Sequence, residues 1–517
     1  MKKILRTMAF ALLGIGLAFS AQAKTLRMAY DADPVSLDPQ EQLSGGTVQL
    51  SHMIFDPLVR WNKAHDFEPR LAESWERVDA HTVRFHLRKG VKFHSGNPFT
   101  AKDVAWTFER IKESPDFKGL FEPFKSLRVV DDYTIDLTTT KPYPLVLNMA
   151  TYIFPMDSKF YSGNDEQGNP KGMLKKHGDT FASKQASGTG PYIVTSRQQG
   201  VKVEFERFAD YWDTGSPGNV NNIVLTPIKE APTRVAALLS GDVDFIAPVP
   251  PTDMARILKH PGVDLVTMGG TRIITFQLNQ ERRAEFKDKR VRQAIIHAIN
   301  NTGIVKKIMK DFASVAAQQS PTGYTGHVES LKPRYDLDKA KQLMKEAGHE
   351  KGFSVTMMAP NNRYVNDAKI AQAVSSMLSK INIQVDLKTM PKAQYWPKFD
   401  ERAADIMMIG WHSDTEDSAN FSEFLVMCPD KESGYGQYNS GNYCNPEIDQ
   451  IVLASQGETD SKKRGEMLQK VEQMLYDDAA FVPLHWQDLA WAARSGVHID
   501  RVVNVMNFPY LGDLVID

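Results

Sequence analysis

The residues best suited to hold a ligand follow one short apolar run, residues 406–409. Four consecutive apolar residues predict a fully buried strand. The run is followed directly by Gly410, Trp411 and His412, and then by Asp414. Ligands in open α/β sheets collect at the carboxyl ends of strands, so an aromatic ring and a carboxylate delivered there are candidate ligand-binding groups. The sequence therefore predicts a ligand site at this strand end, with Gly410, Trp411, His412 and Asp414 as the candidate ligand-binding residues.

Each of these residues also has a structural alternative. Asp414 suits a helix cap or a turn, and Trp411 suits a place in the core. Histidines such as His412 and His485 are more often packed structural residues than metal or haem ligands. We predict no catalytic residue, no metal site and no cofactor for this chain.

A second candidate segment follows the first predicted strand. Ser44, Gly45 and Thr47 expose backbone NH groups and hydroxyls, which suit the polar edge of a ligand. The alternative is a plain loop that caps a helix. We predict that these three residues contact the ligand.

The only two cysteines are Cys428 and Cys444. Because a structural zinc usually needs four ligands, an isolated pair in an exported chain predicts a disulfide rather than a metal site. It closes a loop of about 15 residues, for which chain entropy gives roughly 3 kcal/mol. The predicted disulfide holds down the segment that follows Asp414.

Length and composition indicate an exported, multidomain protein. The 517 residues exceed a single hydrophobic core, which predicts two or three domains. Residues 1–23 have a basic start, a short apolar stretch and a small-residue cleavage site, which predicts a secretory signal peptide. Its removal takes the formal net charge from −1 to about −4, so nothing favours nucleic acid or an anionic membrane. We expect a periplasmic protein, and no later segment approaches the ~20 apolar residues of a membrane span.

The elements that must position the candidate site alternate between strand and helix. A strand with apolar residues at Ile383, Val385 and Leu387 lies between an amphipathic helix and a helix around Trp396. Next comes the buried strand at 406–409. This alternation predicts an α/β fold with a mostly parallel sheet in this region.

No enzyme motif accompanies the candidate site. The sequence has no Gly-x-Ser-x-Gly elbow, no His-Glu-x-x-His helix, no Walker loop and no Gly-x-Gly-x-x-Gly segment after a strand. A secreted hydrolase built from scattered residues stays the alternative outside the class of binding proteins.

Two segments carry a family resemblance. EPRLAESW (residues 68–75) is followed by FHLRKGVKFHSGNPFTAKDV (residues 85–104), in which Thr100 and Asp103 form a predicted capping box. Together they resemble the signature of solute-binding protein family 5, periplasmic proteins that carry peptides and nickel to ABC importers. Further stretches agree, among them KRVRQAIIHAIN at 289–300. The resemblance covers essentially the whole mature chain.

The resemblance implies an α/β periplasmic binding protein of type II, cluster C, with two ligand-clasping lobes, a hinge and an extra small domain. We expect a discontinuous lobe I formed by residues 24–58, 186–266 and 490–517. The extra domain II is expected at 59–185, and lobe III at 267–489.

The resemblance also assigns ligand-binding roles. Dipeptide-binding members use a Gly-Trp-x-x-Asp segment whose aspartate pairs with the ligand's α-ammonium, and Gly410, Trp411 and Asp414 match it. An arginine before the preceding helix binds the α-carboxylate in those members, and Arg363 stands at the matching place. Two fixed charges about 7 Å apart would select short peptides, since a zwitterion that loses its water needs an opposite charge at each end.

The segment departs from the family pattern at His412, Glu416 and Asp417. The two additional carboxylates predict that a cationic ligand is an alternative. Within the family, glutathione-like peptides, a metal chelate, haem or an opine are the other candidate ligands. The implied partners are a short peptide and an ABC permease with separate ATPase subunits, and we expect a monomer that binds no nucleic acid.

Overall fold

A computed structural model describes residues 23–31, 33, 36–43, 45–175, 179–361, 363–413, 415–504 and 506–517. Within these ranges the chain forms 17 strands and 14 α-helices. The predicted signal peptide lies outside the described residues, except for Ala23.

The strands are β1 (Thr25–Tyr30), β2 (Val59–Trp61), β3 (Phe67–Pro69), β4 (Ala72–Arg77), β5 (Thr82–Leu87), β6 (Phe124–Asp131), β7 (Thr134–Thr139), β8 (Tyr192–Gln198), β9 (Lys202–Arg207), β10 (Asn222–Pro227), β11 (Phe245–Ala247), β12 (Val263–Leu278), β13 (Ala313–Val315), β14 (Phe353–Pro360), β15 (Ile383–Met390), β16 (Ile406–Trp411) and β17 (Val482–Arg494). The helices are α1 (Gly45–Ile54), α2 (Ala101–Glu113), α3 (Val146–Ala150), α4 (Phe181–Lys184), α5 (Ala231–Ser240), α6 (Pro251–Leu258), α7 (Lys289–Ala298), α8 (Asn301–Lys307), α9 (Leu337–Glu346), α10 (Asp367–Leu378), α11 (Lys392–Asp400), α12 (Ser418–Leu425), α13 (Pro446–Ser455) and α14 (Ser461–Asp478).

One large mixed sheet runs through the molecule in the order β15-β14-β16-β12-β17-β11-β1-β10-β9-β8, with β13 paired to β17. At one end β15, β14 and β16 are parallel, because α10 and α11 carry the chain back between successive strands. This confirms the parallel arrangement predicted from the strand and helix alternation. β12 then joins β16 antiparallel, so the sheet as a whole is mixed.

The two longest strands, β12 and β17, join the two halves of this sheet. They pair antiparallel over most of their length, with a register shift between Met268 and Arg272. At the shift, a Cβ on Gly270 would lie only 1.9 Å from the carbonyl oxygen of Gln487. Glycine therefore permits the close backbone approach that this irregularity requires.

Separate hydrophobic cores lie on either side of this strand pair. One cluster surrounds β1 and includes Leu26, Tyr192 and Trp491, whereas two others flank β14, β16 and the second half of β12. A further cluster lies beneath the antiparallel sheet β4-β5-β7-β6. Its last member along the chain is Ile153, and Phe154 already packs in the cluster around β1. The side chains therefore pass from one core to the next at residues 153–154, well before residue 185, where domain II is expected to end.

The segment that carries the resemblance fastens these cores together. The main-chain NH of His94 donates to the carbonyl oxygen of Gly188 at 2.8 Å, and the His94 ring contacts the Gly190 oxygen at 2.9 Å. A Cβ on Gly188 would lie 2.1 Å from the carbonyl oxygen of Ile54. His94 therefore has a structural role, because the small Gly188 and Gly190 allow the segments around His94, Ile54 and Gly188 to approach one another closely.

A buried carboxyl group on α14 makes the stability of the fold depend on pH. Glu472 is 1% exposed and accepts hydrogen bonds from the main-chain NH groups of Ser320 at 3.0 Å and Gln319 at 3.3 Å. Burial raises the pKa of Glu472 from 4.5 to about 7. The folded protein therefore keeps a proton that the unfolded chain releases. This stabilisation is complete below about pH 4.5 and is lost as the pH rises to about 7.

We expect Glu472→Gln to remove this part of the pH dependence. Between pH 4.5 and pH 8 the wild-type free energy of unfolding should fall by about 3 kcal/mol more than that of the variant, from a shift of about 2.5 pKa units. Urea denaturation at both pH values measures the difference. Glu466→Gln, at an exposed position of the same helix, is the control and should keep the wild-type dependence. Equal slopes for wild type and Glu472→Gln would contradict the assignment.

Candidate functional site

The strand that leads to the site is buried as predicted. In β16, residues 406–409 are at most 1% exposed. The strand lies between β14, which is parallel to it, and β12, which is antiparallel. Because β14 and β16 are parallel, their carboxyl ends meet at one edge of the sheet. Arg363, just after β14, and Gly410, at the end of β16, therefore lie close together.

Gly410 lacks the space for any side chain. A Cβ there would lie 2.6 Å from Cδ1 of Ile274 and 2.7 Å from Cε1 of Tyr364. The Tyr364 hydroxyl donates a hydrogen bond to the Gly410 carbonyl oxygen at 3.3 Å. This contact ties the loop that carries Arg363 to the end of β16.

The Arg363 loop is also fixed from the other side. The main-chain NH groups of Arg363 and Tyr364 donate to Oδ2 of Asp367, at 2.9 and 3.0 Å. Asp367 is the first residue of α10, where a carboxylate is favoured by the helix dipole. The backbone of Arg363 is thus held, while its side chain is exposed and lies over the Tyr364 ring, with 5.1 Å from Cζ to the ring centroid.

Trp411 forms an aromatic wall with a fixed orientation. Its indole Nε1 donates to Oδ1 of Asn420 at 2.9 Å. Its ring centroid lies 5.1 Å from that of Phe424 and 4.9 Å from that of Tyr438. One hydrogen bond and two ring contacts therefore hold the indole at the strand end.

These residues surround a cavity of about 570 Å³, a size typical of small-ligand sites. Three of its walls come from strand ends, helix α11 and the loop closed by the disulfide. The lining residues are Arg272, Arg363, Trp396, Asp400, Ile409, Gly410, Trp411, His412, Gln437 and Tyr438.

Four of the predicted site residues, Arg363, Gly410, Trp411 and His412, line this one cavity. Thr47 is not among its lining residues. It lies in the first turn of α1, where it is 1% exposed and its carbonyl oxygen accepts from the Ser51 hydroxyl. The ligand contact predicted for Gly45 stays a prediction. Ser44 and Asp414 lie outside the described residues, so their roles remain predictions.

The two additional acidic residues are occupied by internal partners. Asp417 forms a buried ion pair with Arg464, with 2.8 Å from Nη2 to Oδ1, and also caps α12. Glu416, 5% exposed, accepts from the Tyr324 hydroxyl. Neither carboxylate lines the cavity, so the sequence-based idea that they favour a cationic ligand has no geometric support.

Two histidines lie near the two carboxylate oxygens of Glu416. His412 Nε2 lies 3.4 Å from one carboxylate oxygen, and its Nδ1 contacts the Thr271 hydroxyl at 2.8 Å. His65, in the turn between β2 and β3, lies 3.5 Å from the other oxygen and stacks on Tyr324. Burial and the Glu416 carboxylate raise the pKa of Tyr324. Among the residues that the structure describes, no group is arranged to hold a metal ion.

Sequence reasoning missed part of the cavity wall. Arg272 lies on β12, far from the other candidates along the chain, and no local motif marks it. Gln437 and Tyr438 lie inside the loop closed by Cys428 and Cys444, whose predicted disulfide is present. The predicted disulfide loop was the sequence signal that could have identified Gln437 and Tyr438, since it follows the candidate strand and its ends are held together by the two cysteines.

The chain matches the family described as "Bacterial extracellular solute-binding proteins, family 5 Middle" over residues 66–433. The match spans well over half of the sequence. The chain belongs to this family. The resemblance inferred from residues 68–75 and 85–104 is therefore confirmed.

Relatives of this family 5 protein match it along most of their length. The dipeptide-binding protein of Escherichia coli K12 is 28% identical over 500 residues, covering 91% of this chain and 90% of that protein. Heme-binding protein A of Haemophilus influenzae is 27% identical, with 87% and 85% covered. The structure of the periplasmic binding protein DppA from Helicobacter pylori, in complex with the peptide STSA, is 26% identical with a TM-score of 0.72, covering 95% and 98%.

The fold is shared even where identity is lower. A dipeptide-binding protein from Pseudoalteromonas sp. SM9913, in complex with Met-Leu, has a TM-score of 0.74 at 23% identity, covering 96% and 100%. The predicted α/β, type II periplasmic binding protein fold is confirmed. Along the described ranges, no helix has the length and apolar character needed to cross a membrane.

We expect Gly410→Ala to destabilise the protein by about 2 to 3 kcal/mol, because the new methyl group would overlap Ile274 and Tyr364. Chemical denaturation measures the loss. Gly119→Ala is the matched control, since a Cβ there meets nothing within 4 Å. If both variants kept wild-type stability, the packing described around Gly410 would be wrong.

Proposed function

We propose that this family 5 protein is the periplasmic substrate-binding protein of an ABC importer, and that it captures short peptides, dipeptides above all. It delivers them to an inner-membrane permease driven by separate ATPase subunits. It acts as a monomer and carries out no covalent chemistry. One observation carries the proposal: Arg363 and the Gly410–Trp411 strand end line a single cavity of about 570 Å³.

The charge of Arg363 supports a ligand with a carboxylate. Its main chain is held by Asp367 and its guanidinium lies exposed in the cavity wall. A guanidinium offers a planar, bidentate fork that matches a carboxylate. Asp414, three residues after Trp411 in sequence, is proposed to pair with the ligand's α-ammonium.

The family alone does not choose the ligand, since its members include proteins named for dipeptides, haem and glutathione. A peptide is favoured by the match of Gly410, Trp411 and Asp414 to the dipeptide-type segment, and by the cation at Arg363. A cavity of this size also leaves room for water beside a dipeptide, which would tolerate varied side chains.

Ligand capture is proposed to proceed by lobe closure about β12 and β17. The proposed lobe boundaries, 266/267 and 489/490, fall within a few residues of the register shift between Met268 and Arg272. A ligand that bridges both lobes would favour the closed state through its extra contacts, which is a population shift. The contact of Asn148 with the Thr415 carbonyl oxygen, at 2.8 Å, supports closure that also involves domain II.

We expect Arg363→Gln and Asp414→Asn each to weaken dipeptide binding by about 10- to 100-fold, because each leaves one charged end of the ligand unpaired. Isothermal titration calorimetry with Ala-Ala measures this. Arg256→Gln, at an exposed position of α6, is the control and should bind as the wild type does.

Native mass spectrometry of the purified protein should detect bound short peptides.

Unchanged affinity in both variants would overturn the two-charge clamp, and turnover of the dipeptide would overturn the binding-protein function. Tight binding of haem together with no binding of any dipeptide would overturn the peptide assignment.

A further inference from the structure

The side chain of His65 is buried although the turn that carries it lies at the surface. This turn joins β2 to β3 within the expected domain II, and the His65 backbone is in the left-handed region, with φ 67°. The ring centroid of His65 lies 4.5 Å from that of Trp61 on β2 and 5.2 Å from that of Tyr324. Only 10% of the His65 side chain is exposed. The turn therefore packs its imidazole against the segment that contains Tyr324.

The group that His65 meets there is the carboxylate of Glu416. Nε2 of His65 lies 3.5 Å from Oε2 of Glu416, whose side chain is 1% exposed. The Glu416 backbone is also left-handed, with φ 52°. Residues other than glycine pay a free-energy cost in this conformation, and they persist in it where their surroundings hold them, often at functional sites. Two such residues face each other across this contact.

Tyr324 fixes the orientation of the Glu416 carboxylate. Burial and the nearby carboxylate raise the pKa of Tyr324, so its hydroxyl stays protonated and donates to Oε2 of Glu416. A carboxylate that is removed from water is stable only with such partners. The His65 imidazole faces the same oxygen, and Oε1 faces His412.

Glu416 connects His65 to the ligand cavity. Its Oε1 lies 3.4 Å from Nε2 of His412, and Nδ1 of His412 contacts the Thr271 hydroxyl at 2.8 Å. His412 lines the cavity. The His412 ring is therefore held between Thr271 on β12 and the Glu416 carboxylate, which itself meets a residue of the expected domain II.

A second contact from the same domain reaches the same loop. The side-chain amide of Asn148, on α3, donates to the carbonyl oxygen of Thr415 at 2.8 Å. The turn after β2 and helix α3 are separate elements, and they engage consecutive residues of the loop after β16. Docking of the expected domain II thus fixes the Thr415 backbone and the Glu416 side chain together.

We propose that His65 is a positioning residue for the ligand site: it binds Glu416 from outside the cavity, and through Glu416 it holds His412 in the cavity wall. The ligand site of lobe III is complete only when domain II is docked onto it. This inference rests on the proposed function, since ligand affinity is its main readout.

The first test compares two substitutions of His65. His65→Phe keeps a ring against Trp61 and Tyr324 and removes both ring nitrogens, whereas His65→Gln keeps an N–H donor that can reach Glu416. In calorimetry with Ala-Ala at pH 7, we expect His65→Phe to weaken binding about tenfold and His65→Gln less than about threefold, because only His65→Phe removes the donor to the carboxylate. Asp66→Asn, at an exposed position of the same turn, is the control and should bind as the wild type does.

A double substitution tests the connection through His412. His412→Ala alone should weaken Ala-Ala binding. In that background, His65→Phe should cause a further loss of less than about twofold, since the ring that His65 positions is absent. A full tenfold further loss would overturn the proposal, as would unchanged binding by either His65→Phe or His412→Ala.

A second measurement requires no dipeptide. In protein labelled with 15N at histidine, the ring signals of His412 in nuclear magnetic resonance spectra should shift in His65→Phe and keep their wild-type positions in Asp66→Asn. Unshifted signals in His65→Phe would overturn the positioning role. If the wild type binds no dipeptide, the proposed function fails and this comparison still decides the inference. Should His65→Phe fail to fold, His65→Asn replaces it, because asparagine tolerates a left-handed backbone and is too short to reach Glu416.

Discussion

The antiparallel pairing of β12 with β17 is the constraint on which the remaining structure depends. These strands are 16 and 13 residues long, and they join two sets of hydrophobic cores within one sheet. The register shift at Met268–Arg272 interrupts the pairing where the two halves meet. Fewer hydrogen bonds cross that point, which makes it the natural place for bending. Arg272 is the first paired residue beyond it, so one part of the cavity wall is carried by a strand that crosses this point.

Much of the site followed from local sequence patterns. Four apolar residues in a row predict a buried strand, and β16 is buried because sheet and helices cover both of its faces. Arg363 was assigned to the site by the family resemblance, and it lies near Gly410 because strands joined by helices run parallel and end at the same edge. The cysteine pair was predictable because no other cysteine competes for either partner.

The remaining residues depend on long-range geometry that no short motif contains. Arg272 reaches the cavity only because β12 pairs with both β16 and β17. In the sequence, Glu416 and Asp417 were candidate ligand groups. In the structure, partners from distant segments engage them: the Tyr324 hydroxyl donates to Glu416, and Arg464 forms an ion pair with Asp417. A buried carboxylate is retained only with such partners, so these unusual residues shape the loop after β16. Asp414 and the domain boundaries remain predictions.

The disulfide adds a dependence on cellular compartment. Gln437 and Tyr438 belong to the loop that Cys428 and Cys444 close, and both line the cavity. In a reducing cytosol the cysteines stay as thiols, and this wall is held mainly by bonds such as the one from the Tyr438 main-chain NH to the Phe424 carbonyl oxygen. Forming the disulfide lowers the conformational entropy of the unfolded chain, which stabilises the folded state by roughly 3 kcal/mol and holds this part of the wall in place. Reduction of this disulfide therefore leaves the part of the cavity wall formed by Gln437 and Tyr438 less firmly held.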